Sequence, residues 1–258
     1  MKNLKIFFIF LINFFFITNL KANTINSIDI DAYIDEIGNA HITEVWDANL
    51  TQGTEGYRPF SGMGNRVISN FSVSDESERA YEVLDTWDIN KSFSEKSYKC
   101  GYNKTYDGIE LCFGISKYGH KTYILKYDIS NFVTEYTDIE GIYFKFINFD
   151  QDIGSVKIKV HSDIPFSVDN SKIWAFGYEG TDIFEDGNIV LDSNGTLYSD
   201  EYMTLLVRFE NNIFKTDNLS DSSFDDVYDE AFYDVPEEEW HDDDVDEWHD
   251  FKDASFGE

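Results

Sequence analysis

Cys100 and Cys112 are the only two cysteines in this 258-residue chain, and a pair of thiols is the most direct chemistry its residue types offer. If residues 101–111 fold back as a hairpin about 103–108, positions whose numbers sum to 212 face each other, and the two cysteines do. A disulfide there would close a short loop and stabilise the fold by about 3 kcal/mol through chain entropy. Two separately buried thiols fit the same spacing, so both readings stay open at this level. Either thiol acting as a nucleophile needs a positioned base. His120 is the one nearby imidazole, and a structural role is the preferred reading for both cysteines.

Other candidate chemistry is weaker. The five histidines show no metal-ligand spacing: His41, His120 and His161 fall on or beside separate strands, while His241 and His249 sit among carboxylates near the C-terminus. Residues 190–201 superficially match a calcium loop through Asp192, Asn194, Gly195 and Glu201. The first ligand position is Val190, however, which offers no side-chain oxygen, so a hairpin turn is the expectation. Carboxylate pairs of the kind a glycosidase uses can be drawn anywhere among 50 acidic residues. Nucleophile-elbow, phosphate-loop and His-Glu-x-x-His patterns are missing from the sequence. No catalytic, cofactor-binding or metal-ligating set is therefore assigned. Trp46, Trp87 and Trp174 could stack on sugars if exposed, but rings of that size are expected in a core.

The elements that would hold these residues are strands. Alternation at period two, bounded by turn residues, dominates Asn23 to Phe214. Ile28 and Ile30 and, after a break, Tyr33 are expected to face one way. A turn at residues 35–39 leads into Ala40 to Trp46, with Ile42, Glu44 and Trp46 on one side and His41, Thr43 and Val45 on the other. Residues 53–64, rich in glycine, are expected to cross between sheets as an irregular loop. Residues 122–133 carry the strongest strand signal, and the apolar run 141–149 suggests a strand covered on both faces. Shorter strands are expected at 67–73, 156–160, 188–191 and 204–209, the last two flanking the turn dipeptide Asn194-Gly195. Roughly ten such strands predict an all-β fold, a two-layer antiparallel β-sandwich over residues 23–215.

Charge narrows the partners. The net charge is −30, which excludes nucleic acid, because phosphate binding needs clustered Lys and Arg. Residues 221–258 alone hold 17 acidic residues against one lysine. The segment 216–258 is accordingly expected to be an acidic, largely disordered tail, with a short helix at 222–231 capped by Ser222 or Ser223 and with Asp225 and Asp226 in its first turn. At the other end, two lysines, the apolar run Ile6 to Leu20 and Lys21-Ala22 match a secretory signal peptide over residues 1–22. The body is thus expected outside the cytoplasm.

The ordered segments also resemble a family. Gly38-Asn39-Ala40-His41-Ile42-Thr43-Glu44-Val45-Trp46, Tyr57-Arg58-Pro59, Glu110 to Ser116, Tyr118 to Ile129, Tyr143 to Asn148, Trp174-Ala175-Phe176-Gly177 and Glu201-Tyr202 are similar to the N-terminal extracytoplasmic domain of the YciQ-like predicted membrane proteins, domain of unknown function 2207. The resemblance spans about Ile25 to Phe214. It implies an exported β-sandwich followed, in typical relatives, by transmembrane helices. The sequence up to Glu258 contains no such helix, so a truncated reading and a secreted variant are both open. The resemblance implies no catalytic residues and no cofactor. The expected role is a non-catalytic binding or sensing module at the bacterial cell surface. A carbohydrate-active enzyme or lectin-like binder of envelope glycan is the alternative, and a structural subunit pairing with neighbouring membrane proteins is a third.

Overall fold

The computed structural model describes residues 22–233. Strand β1 (Thr24–Ile34) buries Ile28, Ile30, Ala32 and Ile34, and β2 (Ala40–Leu50) buries Ala40, Ile42, Glu44, Trp46 and Ala48. They pair antiparallel across a turn in which the Asp35 carboxylate accepts the amides of Ile37 and Asn39. Gly38 takes φ +78° in this turn, and a Cβ there would lie 2.9 Å from Val133, so glycine is required on both counts. The expected break in β1 does not occur. Alternation continues to Ile34, which places Tyr33 on the outer face, opposite to Ile28 and Ile30.

The chain continues through β3 (Glu55–Ser61), β4 (Val67–Asp75), β5 (Glu82–Leu84), a one-turn helix α1 (Phe93–Lys96), β6 (Lys99–Lys104), β7 (Gly108–Gly114) and β8 (Gly119–Ser130). It then forms β9 (Thr134–Glu135), β10 (Glu140–Ile147), β11 (Val156–Ser162), β12 (Ser171–Phe176), β13 (Thr181–Glu185), β14 (Asn188–Asp192), β15 (Met203–Phe209) and helix α2 (Phe224–Tyr233). One layer is a seven-stranded sheet in the order β13-β14-β11-β1-β2-β8-β4. The facing layer is split into two four-stranded sheets, β12-β15-β10-β9 and β3-β7-β6-β5. Apolar side chains of all three sheets meet in one continuous core. Most pairings are antiparallel, as expected of a sandwich; β1 with β11 and β5 with β6 are parallel.

Several local expectations are corrected. The glycine-rich stretch does cross between layers, but as strand β3, which tolerates Pro59 because it lies at a sheet edge. Asn194-Gly195 does not close a hairpin: β14 pairs with β11 and β13, β15 pairs with β10 and β12, and the dipeptide lies on a link between layers. The fold does not stop at residue 215 either. The Asn218 side-chain amide donates to the carbonyls of Asn131 and Val133, and the Ser220 amide donates to the Glu135 carbonyl. Helix α2 then lays Phe224, Tyr228 and Ala231 over Trp174, Phe176 and Leu206. Its start is fixed by a reciprocal pair: Ser223 Oγ accepts the Asp226 amide, and the Asp226 carboxylate accepts the Ser223 amide. As a result β15 is covered on both faces, by the core on one side and α2 on the other, and β10 partly so, with Tyr143 half-buried and Lys145 exposed on the α2 side. The expected signal peptide, apart from Ala22, and the expected disorder beyond residue 237 lie outside the described residues.

Candidate functional site

The split layer leaves two free strand edges. Strand β3 is the outermost strand of its sheet, and β9 pairs with β10 only at Glu140 and Gly141, so among the described residues the rest of that edge of β10 has no strand beside it. Arginines bridge the seam instead. Arg58, 1% exposed, donates from Nε to Glu44 Oε1 at 2.9 Å and from a terminal nitrogen to the Phe146 carbonyl on β10. Glu44, fully buried, also accepts the Trp46 indole N–H at 2.7 Å and the Tyr127 hydroxyl. The Tyr127 hydroxyl is held far above its ordinary pKa, by desolvation first and by the Glu44 carboxylate next. A buried ion pair is tolerated only when its remaining hydrogen bonds are satisfied. Here they are, and the network ties β2, β3 and β10, one strand from each sheet, into a fixed arrangement.

Beside this network opens a cleft of about 380 Å³, lined by Phe60, Met63, Arg66, Phe144, Lys145 and Thr204 among others. Arg66 donates one terminal N–H to the Tyr143 carbonyl at 3.1 Å and lies 5.6 Å from the Phe144 ring centroid. Lys145 Nζ is 4.1 Å from the Tyr202 ring centroid. Thr204 stands opposite Lys145 in register, so both side chains lie on the α2 side of the sheet. Exposed Glu230 of α2 completes one rim.

The cysteines are not brought together. In the β6–β7 hairpin Gly101 pairs with Cys112 and Cys100 with Phe113, a register one residue away from the one that would oppose the two thiols. Such a slip moves a side chain to the other face of the sheet. Both cysteines are buried and free. Burial pushes the Cys100 thiol up to about 11 and Cys112 higher still, the opposite of what a nucleophile needs. His120 is engaged with Asp47 at 2.7 Å.

The other expected candidates also find structural partners. Trp46, Trp87 and Trp174 are all buried. Asp192 accepts the Asn194 amide and Glu201 accepts the Tyr198 amide, so these residues of the calcium-like stretch serve turns. Among the described residues no cluster of three metal-ligating side chains occurs. On the outer face of the large sheet, register aligns His161, Tyr33, His41 and Asp128 in one row. His41 points one ring nitrogen at Asp128 (2.7 Å) and the other at Asp35 (3.1 Å), and His161 bonds Asp31 at 2.9 Å. Desolvation works against the His41 cation, but the two carboxylates outweigh it and hold the imidazole pKa above its ordinary value.

A sandwich whose second layer is split, with a polar network across the split and a cationic cleft beside it, defines a rigid β domain with a preformed recess. The chain belongs to the family described as the predicted membrane protein (DUF2207) N-terminal domain, whose model matches residues 24–209. Among the described residues no helix is long and apolar enough to cross a membrane. No curated protein matches the sequence. Among solved structures, leukotriene A4 hydrolase from Saccharomyces cerevisiae is similar at 8% identity and a TM-score of 0.44, over 74% of this chain and 30% of that one. A putative nutrient binding protein from Legionella pneumophila is similar at 9% and 0.39, over 72% of this chain and 66% of that one. An M1 zinc metallopeptidase from Deinococcus radiodurans is similar at 9% and 0.35, over 73% and 42%.

Proposed function

We propose that this domain is a non-catalytic binding or sensing module of a bacterial membrane-anchored or cell-surface protein, facing outward from the membrane. The observation that carries the reading is the recess at the seam. Its walls are strands β3, β10 and β15 with the 62–66 loop and a rim from α2, its position is fixed beside the Glu44–Arg58 network, and its volume of about 380 Å³ lies in the range of small-ligand sites. Membership of a family described as the N-terminal domain of a predicted membrane protein supports placement beside a membrane, and the signal-like residues 1–22 support export. A recess on a rigid scaffold loses little entropy on binding, which suits recognition. Equilibrium retention of the purified chain on solubilised cell-envelope fractions, with product analysis in parallel, tests the reading. Saturable retention without turnover is expected. Turnover abolished by a single Asp or Glu substitution would overturn it in favour of a carbohydrate-active enzyme.

A further inference from the structure

Two of the buried polar atoms that find no hydrogen-bond partner among the described residues belong to side chains lining the seam cleft. They are Arg66 Nε and Thr204 Oγ1, and Thr204 is only 4% exposed. Both can donate. A buried donor left unmade loses its water without compensation, and natural proteins leave few of them. Arg66 makes no ion pair with a carboxylate among the described residues, and burial holds its guanidinium below its ordinary pKa range. Lys145 adds a third cationic or donor group on the same lining, from the position opposite Thr204. Arg58 is excluded from this role because Glu44, Pro59 and Phe146 already occupy its nitrogens. In a chain of net charge −30, Arg66 and Lys145 against the single rim carboxylate of Glu230 leave this recess a local reversal of sign.

We infer that the cleft beside the seam binds an oxyanion, a carboxylate or a phosphate, attached to an apolar or aromatic body. Arg66, Thr204 and Lys145 receive the oxygens, while Phe60, Met63 and Phe144 receive the body. The inference rests on the binding-module reading and specifies its ligand chemistry. Glu230 at the rim opposes the anion. It is exposed, so solvent and salt weaken that repulsion without abolishing it.

The test uses the methyl resonance of Met63, with buried Met203 as the internal reference. The full chain is titrated with N-acetyl-L-phenylalanine, with its methyl ester and with phenyl phosphate. Saturable movement of Met63 is expected with either or both anions and not with the ester, and comparing the two anions separates a carboxylate source from a phosphate source. Thr204→Val and Arg66→Gln are each expected to weaken binding about tenfold or more, and Glu230→Gln to strengthen it. Unchanged melting temperature verifies that Thr204→Val is folded. Equal binding of the ester, wild-type affinity in folded Thr204→Val, or no saturable shift with either anion overturns the inference. Because envelope retention is measured separately, retention with no anion response sinks the ligand assignment while leaving the module reading intact.

Discussion

Removing the Arg58 guanidinium while Glu44 remains would strand a fully buried carboxylate with only the Trp46 and Tyr127 donors. Arg58→Ala is therefore expected to cost about 3–5 kcal/mol of stability, measured by urea unfolding, whereas a loss under about 1 kcal/mol would mark the pair as no more than a surface contact. The outer-face row makes a second residue-scale prediction. The His41 pKa is raised in the folded state, so its contribution is fully present below its unfolded pKa and is lost as pH rises through the folded one. Wild-type protein should thus lose more stability than His41→Gln between about pH 5 and pH 9, and identical pH profiles for the two would contradict the assignment. Little of this polar chemistry was legible beforehand. Alternation placed Glu44 on the same side as Ile42 and Trp46, and Arg58 stood out only through the resemblance. Arg66, Lys145 and Thr204 carry no motif, because three segments far apart in sequence meet only when the seam forms.

The strands vary in how openly the sequence declares them, and the reason is burial. Strand β10 reads as an apolar run broken only at Lys145 because the core covers one face and α2 shields part of the other. Strand β3 reads as a loop because its glycine and proline content is tolerated only at an edge. Links between layers are the hardest to infer. Asn194-Gly195 has the composition of a hairpin turn, yet the strands on either side of it belong to different sheets, and only long-range pairing decides that. The cysteine register failed for a similar reason: a one-residue shift in β6 against β7 leaves the hairpin intact and changes which side chains oppose. Helix α2 was legible from its Ser223 cap and acidic first turn, but its docking on the sheet was not, since Phe224, Tyr228 and Ala231 form a narrow apolar stripe in an acidic segment. Phe224→Ala is expected to cost about 3–5 kcal/mol and to increase hydrogen exchange across β12 and β15, where α2 shields Trp174 and Leu206. No change in either measurement would mean that the helix does not hold this face.

At the scale of the whole molecule, the seven-stranded sheet is a continuous platform, and the layer opposite it is interrupted at the seam that holds the proposed binding site. The interruption is held open by charge: Arg58 and Arg66 take carbonyls of β10 at Phe146 and Tyr143, so that edge is partly satisfied without a neighbouring strand. This also blunts an edge that would otherwise recruit another chain. Arg66 and Lys145 set the recess apart from the acidic average of a chain of net charge −30, so the proposed site would draw anions that the rest of the surface repels. The central claim is that this recess exists in solution as a preformed ligand site. The most direct measurement is the Met63 methyl signal during separate titrations with N-acetyl-L-phenylalanine and phenyl phosphate. Saturable movement of Met63 with Met203 unmoved under at least one of the two anions is the predicted result, and movement of both methyls together, or no saturable movement of Met63 with either anion, would contradict it.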